Sequence, residues 1–492
     1  MQTRSIATTC CHLNGLLYRH GEDREPAVVG VVTDQVDPAR GAHLHIGCCA
    51  EVILVEGGGV DHGGDAITLA SRGYDLAVST SAVMVGAGQR GYFTFGAYAV
   101  ANPDHLRFAA VVDPDPQRRA RFRSAHPAAV EFASVADWLT AGKVADTAIV
   151  ASPDRHHHEA ATGALRLGYD VLLEKPMAAT LEQSIDLVRA AHDTGQTLAV
   201  AHVLRYTPFF RRLHEVVSSG RLGEIVTVEH RENVWAFHMA HSFVRGNWAV
   251  AADSTPMIVQ KCCHDFDILN WNLDSPVSAL SSIGSLFHFR PESKPAGATD
   301  RCTDGCPVEG CPYDARKYLN PQWTSWPVHV LTDDLSEQGR MNALRQGPWG
   351  RCVYTAGSDV VDHQVVTMEL ESGASVVLVM HGHSAEESRT MRYDGTRATL
   401  RAKFGRESSI EVTDHATGVT ESIPIDAAVG GHGGGDGGVI EAFLTDLGEG
   451  RTPLTSAGDS VESHVLAFAA EEARLSGKRI DMAAYRTAAM GS

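Results

Sequence analysis

Ala82-Val83-Met84-Val85-Gly86-Ala87-Gly88-Gln89-Arg90-Gly91 opens the most regular part of this chain of 492 residues. Its apolar start reads as a buried strand. The GxGxxG that follows leads into a helical stretch, so backbone N–H groups at a helix N-terminus face whatever lies over the turn. Such a turn suits a pyrophosphate. Downstream, apolar runs at 108–112, 130–132, 147–151, 171–173 and 197–201 alternate with helical segments, which predicts six parallel strands joined by right-handed crossovers. The helix signals agree. Pro153 can stand in a first turn, where its missing N–H costs nothing, and Gly168 can close the helix with positive φ. Thr180 and Gln183 have capping-box spacing ahead of Leu181, Ile185 and Val188, which share one face, and Gly195 ends that segment.

Asp113 ends the second strand about 20 residues beyond Gly91, where a carboxylate accepts hydrogen bonds from adenosine ribose hydroxyls. Together with Gly86, Gly88, Gln89, Arg90 and Gly91 it predicts a Rossmann-type doubly wound sheet that binds a dinucleotide. The carboxylate would repel a 2′-phosphate, which favours NAD over NADP, although Arg118 and Arg119 lie close enough in sequence to blunt the preference.

Working outward, residues 1–80 carry no sustained period, are broken by Gly57-Gly58-Gly59, and are expected to be a poorly ordered extension. The nucleotide-binding domain is placed at 81–205. Residues 206–492 change texture, with longer helices and alternating strands at 225–230, 365–370 and 375–380. They predict an α+β substrate and oligomerisation domain with an open, mostly antiparallel sheet. A Pro-, Gly- and Cys-rich insertion occupies about 291–350, and an amphipathic helix at about 460–475 should pack back on the body. The 42 Lys and Arg against 60 Asp and Glu give a formal charge of −18. That balance argues against a nucleic-acid or anionic-membrane surface, which needs concentrated positive charge. Without a span-length apolar run or a basic-then-apolar leader, a cytoplasmic enzyme of small molecules is expected.

Glu174-Lys175-Pro176, at the end of the fifth strand, resembles the signature of the Gfo/Idh/MocA oxidoreductases. Ser152-Pro153-Asp154-Arg155-His156-His157, Leu204-Arg205-Tyr206 and Lys261-Cys262-Cys263-His264-Asp265-Phe266-Asp267 extend the similarity over roughly residues 82–485. The resemblance implies that Lys175 touches the reacting hydroxyl and that His264 exchanges its proton. It also implies a cofactor shell that includes Ser152, Pro153, His157, Glu174 and Lys175, and a homodimer or homotetramer. Alcohol oxidation needs these residue types in any case: a base near neutrality and a cation beside the developing alkoxide. One departure stands out. The family's common aspartate four residues before the histidine is Gln260 here, so the proton leaves through His264 alone or with Lys261. The Lys-Cys-Cys-His-Asp-Phe-Asp run, together with Gly431-His432-Gly433-Gly434-Gly435-Asp436, resembles a distinct subgroup; the Gly-rich turn either lets His432 and Asp436 approach a polyol, where Arg205, Tyr206 and Gln260 are also expected, or is a plain flexible loop.

The function expected is NAD-dependent hydride transfer between the nicotinamide and a sugar, cyclitol or related polyol hydroxyl. Redox-assisted glycoside cleavage by oxidation and elimination uses the same residues, and a non-catalytic sugar-sensing regulator is the reading from outside enzymology. Cys302, Cys306 and Cys311 can supply most of a structural zinc site, with Cys352 or a histidine as fourth ligand, or can be plain loop thiols.

Overall fold

A computed structural model describes residues 79–428 and 430–491. The extension expected over 1–80 lies outside the described residues except for its last two. Six parallel strands form the first sheet: β1 (Thr80–Val85), β2 (Leu106–Val112), β3 (Val130–Phe132), β4 (Thr147–Val150), β5 (Asp170–Leu173) and β6 (Leu198–Val200), in the order β3-β2-β1-β4-β5-β6. The order reverses beside β1, which puts the topological switch point over the GxGxxG turn. Val83, Val85, Ala148, Val150, Val171 and Leu173 are buried, as strands covered on both faces require.

The crossovers include α1 (Pro116–Ala125), α2 (His157–Arg166) and α3 (Leu181–Thr194). The Asp115 carboxylate caps α1 by accepting from the Gln117 N–H. Thr180 caps α3 by accepting from the Gln183 N–H, and Gly195 closes it with φ +67°. The helix after the Gly-rich turn opens as a π-helical segment, Gly91–Gly96, before Ala97–Ala101. There an added Cβ on Gly96 would lie 3.2 Å from Phe122, so glycine keeps this close contact with α1 uncrowded.

The second sheet has nine strands: β7 (Ile225–Trp235), β8 (Val277–Ser285), β9 (His363–Leu370), β10 (Ser375–Ser384), β11 (Ser388–Gly395), β12 (Ala398–Phe404), β13 (Ser409–Asp414), β14 (Thr420–Ser422) and β15 (Ile480–Asp481). Their order is β14-β13-β12-β11-β7-β10-β9-β8-β15, antiparallel except for the β7–β10 pair. Alternate residues Val376, Leu378 and Met380 are buried. Against this buried face pack α4 (Met257–Asn272) and, later in the chain, α7 (Ala457–Ser476), with α5 (Glu337–Gln346) and α6 (Gly435–Glu449) between them in sequence. Thus the C-terminal helix expected at 460–475 does return to the body. The turn that leads into it meets the first sheet, because the Val200 N–H donates to Thr455 O at 2.8 Å.

The 291–350 segment is an ordered knot of short helices whose Ala315, Tyr318, Val328 and Leu344 form an apolar cluster with Phe237 from the turn after β7. The Arg340 guanidinium replaces regular secondary structure there, donating to the carbonyls of Tyr318, Asn320, Trp323 and Leu335. Among the described residues no helix is long and apolar enough to cross a membrane.

Truncating Leu378, fully buried between the sheet and its helices, is expected to cost about 2–5 kcal/mol, whereas Val226→Ala on the exposed face should stay within about 0.5 kcal/mol. Thermal melts of the two variants check this contrast.

Candidate active site

The C-terminal ends of the parallel strands bring together the Gly-rich turn, Asp113, Ser152, Glu174-Lys175 and His202. An added Cβ on Gly86 (φ +92°) would lie 2.7 Å from Ser152 N, and one on Gly91 would lie 1.9 Å from Gly86 O. Gly88 differs. Within 4 Å its added Cβ would meet only Arg118 Nη1, at 4.0 Å, so this glycine leaves room above the turn rather than serving the protein's own packing. Asp113 is buried and accepts from the Ala87 and Asp115 N–H groups, each at 2.9 Å. Ser152 Oγ and Gln89 Oε1 are buried without a hydrogen-bond partner. Open space at Gly88, orphaned polar atoms and a fixed carboxylate suit a dinucleotide.

Lys175 Nζ donates to the Gln260 carbonyl at 2.9 Å. With its amide oriented so that the oxygen accepts, the Gln260 side chain lies 3.3 Å from Lys175 Nζ and 3.2 Å from Trp248 Nε1. His264 is buried on α4. Burial first, then the Lys175 ammonium and His202, hold its imidazole well below the ordinary histidine range, so it is neutral at neutral pH. His264 Nδ1 lies 3.5 Å from His202 Nδ1.

A chain of buried groups fixes which nitrogen carries the proton. The Met177 N–H donates to His464 Nε2 at 2.9 Å, so His464 Nδ1 carries its hydrogen, toward Ser460 O at 3.1 Å. The Ser463 hydroxyl donates to Ser460 O at 2.7 Å and therefore accepts from His202 Nε2 at 3.4 Å. His202 Nδ1 is left as an acceptor for His264 Nδ1–H, and His264 keeps its Nε2 lone pair for a substrate proton. Residue 202 follows the sixth strand, so the rule that picks out Lys175 at the end of the fifth also reaches His202. Ser463 and His464 come from α7 and carry no local signal.

Several expected roles change. Arg205, expected at the substrate, is buried in a bidentate pair with Asp267 at 2.7 and 2.8 Å, and the Tyr206 hydroxyl is hydrogen-bonded to Thr455 at 3.0 Å. Both join elements, because the turn after β6 is enclosed by α4 and α7. Lys261 lies in an ion-pair network: burial disfavours its charge, but Glu232 at 3.4 Å and Glu387 at 2.7 Å outweigh that and favour the protonated form. His157, expected at the cofactor, braces two loops, with its ring nitrogens each 2.8 Å from Ser152 O and Pro176 O. Arg90 and Glu174 meet each other at 2.6 Å. Arg90 also meets Asp436 at 2.9 Å, and His432 Nδ1 lies 3.0 Å from the same carboxylate. Hence the late Gly-rich segment does reach the dinucleotide turn, through a charge network. Among the described residues, no group of three His, Cys, Asp or Glu stands in position to ligate a metal ion.

Residues 80–202 match the model of the oxidoreductase family's NAD-binding Rossmann fold, and residues 214–482 match that of its C-terminal alpha/beta domain. The chain belongs to the Gfo/Idh/MocA oxidoreductase family. It is 27% identical over 369 residues to the oxidoreductase-family protein YteT of Bacillus subtilis (strain 168), covering 71% of this chain and 84% of that one. It is 26% identical over 175 residues to an inositol 2-dehydrogenase of Corynebacterium glutamicum (strain R), covering 35% of this chain and 48% of that protein. An Agrobacterium radiobacter oxidoreductase solved with NAD+, L-tartaric acid and magnesium superposes with TM-score 0.59 at 15% identity, over 83% of this chain and 99% of that one. A Kribbella flavida oxidoreductase domain protein gives TM-score 0.61 at 15% identity, over 82% and 100%.

As a Gfo/Idh/MocA protein this chain is an oxidoreductase, and its buried histidines give it a pH signature. Burial lowers His464 from 6.5 to about 3. Its folded value lies below the unfolded one, so its contribution to stability is full above pH 6.5 and is lost progressively as pH falls toward 3. His464→Gln, which keeps an acceptor for Met177 and a donor for Ser460, should lessen the drop in unfolding free energy between pH 7 and 5 measured by urea denaturation.

Proposed function

We propose that the protein transfers hydride between NAD(H) and a secondary hydroxyl of a sugar, cyclitol or related polyol. The observation that carries this reading is the convergence of a Lys175 ammonium and a neutral, buried His264 imidazole with one free lone pair, beside the dinucleotide turn. Residues 81–205 would hold the cofactor and 206–492 the substrate and subunit contacts. Gly88 would face the pyrophosphate in a turn shaped by Gly86 and Gly91, Asp113 the adenosine ribose, and Ser152, Pro153 and Lys175 the nicotinamide half. When bound, the nicotinamide supplies the hydride acceptor.

The protein's own part is proton handling. Lys175 offers an N–H to the substrate oxygen and stabilises negative charge as the proton leaves. His264 Nε2 takes that proton. Its Nδ1–H stays on His202, which holds the ring in the correct tautomer and so takes over the orienting work of the family's missing aspartate. Gln260 keeps Lys175 aligned through its carbonyl and its side chain, and His432 and Asp436 close the polar side of the site. Relatives with the name inositol 2-dehydrogenase support a polyol substrate.

Lys175→Ala and His264→Ala are each expected to lower turnover on the order of a hundredfold to a thousandfold while leaving NAD affinity nearly unchanged. His202→Phe should move the acidic limb of the kcat pH profile with little change in KM, and His202→Asn, which restores an acceptor, should recover part of it. The assay follows NADH with free sugars and cyclitols, and aglycone release with aryl glycosides. Aglycone without net NADH would turn the reading to oxidation and elimination, and wild-type turnover by a folded His264→Ala would remove it.

Asp113 favours NAD(H) over NADP(H), and Arg118, which lies beside Gly88, is the group able to accept a 2′-phosphate. Calorimetry is expected to show tighter NAD+ binding, with the gap widened by Arg118→Glu. Equal binding of the two cofactors would show that Arg118 has overridden the carboxylate.

A further inference from the structure

Four cysteines far from Lys175 and His264 in sequence meet at the root of the 291–350 segment. Cys302, Cys306, Cys311 and Cys352 line a single cavity of about 20 Å³ together with Arg245 and Tyr313. All four are free thiols. The backbone brings the outer two together, since the Cys302 N–H donates to Gly350 O at 2.9 Å and the Cys352 N–H to Asp300 O at 2.8 Å. The turns with Cys306 and Cys311 contain Gly305 and Gly310, both with positive φ and open space where a Cβ would be.

We propose that these four cysteines form a structural zinc site that ties the 291–350 segment to the body. Binding is acid–base and not redox chemistry: four thiols release four protons and one Zn²⁺ is held by four thiolates, leaving a net charge of −2. A second, independent observation matches that charge. Arg245 is buried, and its Nη1 has no hydrogen-bond partner. Bonds to Arg351 O and Tyr313 O, each 2.7 Å, fix this guanidinium so that Nη2 lies 3.7 Å from Cys302 Sγ. A guanidinium held against neutral thiols is uncompensated. Against a dianionic tetrathiolate it is the counter-ion. N–H groups also face the sulfurs, from Ala315 to Cys302 and from Val308 and Thr299 to Cys306, as thiolate ligands require.

The cavity holds about one water-sized occupant, room for a single ion once the thiols draw inward. No three of these thiols yet stand in metal-ligating position, so binding requires them to draw inward.

The full chain, untagged and purified without chelator from zinc-supplemented medium, is expected to contain about one zinc per chain by elemental analysis. Replacing all four cysteines by serine should reduce this to less than about a tenth of an equivalent. Exchange with cobalt should give the intense ligand-field bands and sulfur-to-cobalt charge transfer of a tetrahedral tetrathiolate. Should the variants fail to fold, alkylation of the native protein serves instead: the half-buried Cys306 and Cys311 should resist iodoacetamide until a zinc chelator is added. The proposal is overturned by folded protein that holds less than about a tenth of an equivalent after zinc reconstitution and dialysis. Zinc retained in the quadruple variant, stoichiometric iron with acid-labile sulfide, or rapid alkylation without chelator would each overturn it as well.

Discussion

Arg205 and Asp267 are both buried and meet through two hydrogen bonds, and the placement of the site depends on this pair. One partner follows the last strand of the dinucleotide sheet and the other lies on α4 of the second layer. A planar fork on a carboxylate tolerates little rotation, so the pair sets the angle and depth at which α4 meets the strand ends. His264 lies one helical turn before Asp267 and hence shares its face. The same lock that seats Arg205 therefore delivers the imidazole to His202 and Lys175. Burial penalises both charges, and the guanidinium stands over Trp271 at 5.5 Å, so removal of either partner alone would leave an uncompensated charge costing about 3–5 kcal/mol.

Behind the site a second charged layer keeps α4 on its sheet. Arg389 from β11 meets Asp265 at 2.8 Å and Glu232 at 2.5 Å, and Lys261 bridges Glu232 and Glu387. His230 from β7 completes the Asp265 environment at 2.7 Å. Burial works against both carboxylates, yet Arg389 and His230 hold Asp265 below the usual carboxylate range, whereas burial raises Glu232 above it. A helix buried on almost every side could rotate if held only by apolar contacts, which have no direction. Hydrogen-bonded charges do have direction, and they explain why so polar a run as Lys261-Cys262-Cys263-His264-Asp265-Phe266-Asp267 lies inside the protein.

The 291–350 segment reaches from its thiol-rich root to the dinucleotide turn. The His329 ring stacks on Phe93 at 4.5 Å, and Asp333 pairs with Arg121, which itself donates to Ala87 O at 3.1 Å.

Strand alternation, the glycine spacing and Asp113 determined the first sheet and its nucleotide turn from sequence alone, because those signals act between residues close along the chain. Thr180, Gly195 and the 457–476 helix were legible for the same reason. Lys175 and His264 were found by resemblance to a family, and the structure puts them together. Only tertiary structure decided what their neighbours do. Arg205, Tyr206, His157 and Lys261 have the composition of ligand-binding groups, yet each is committed to another element: to Asp267, to Thr455, to two loop carbonyls, and to Glu232 and Glu387. His202 was missed because its value lies in partners 62 and 261 residues away. A side chain's type is written in the sequence, whereas its free lone pair or proton depends on which distant groups already hold the others.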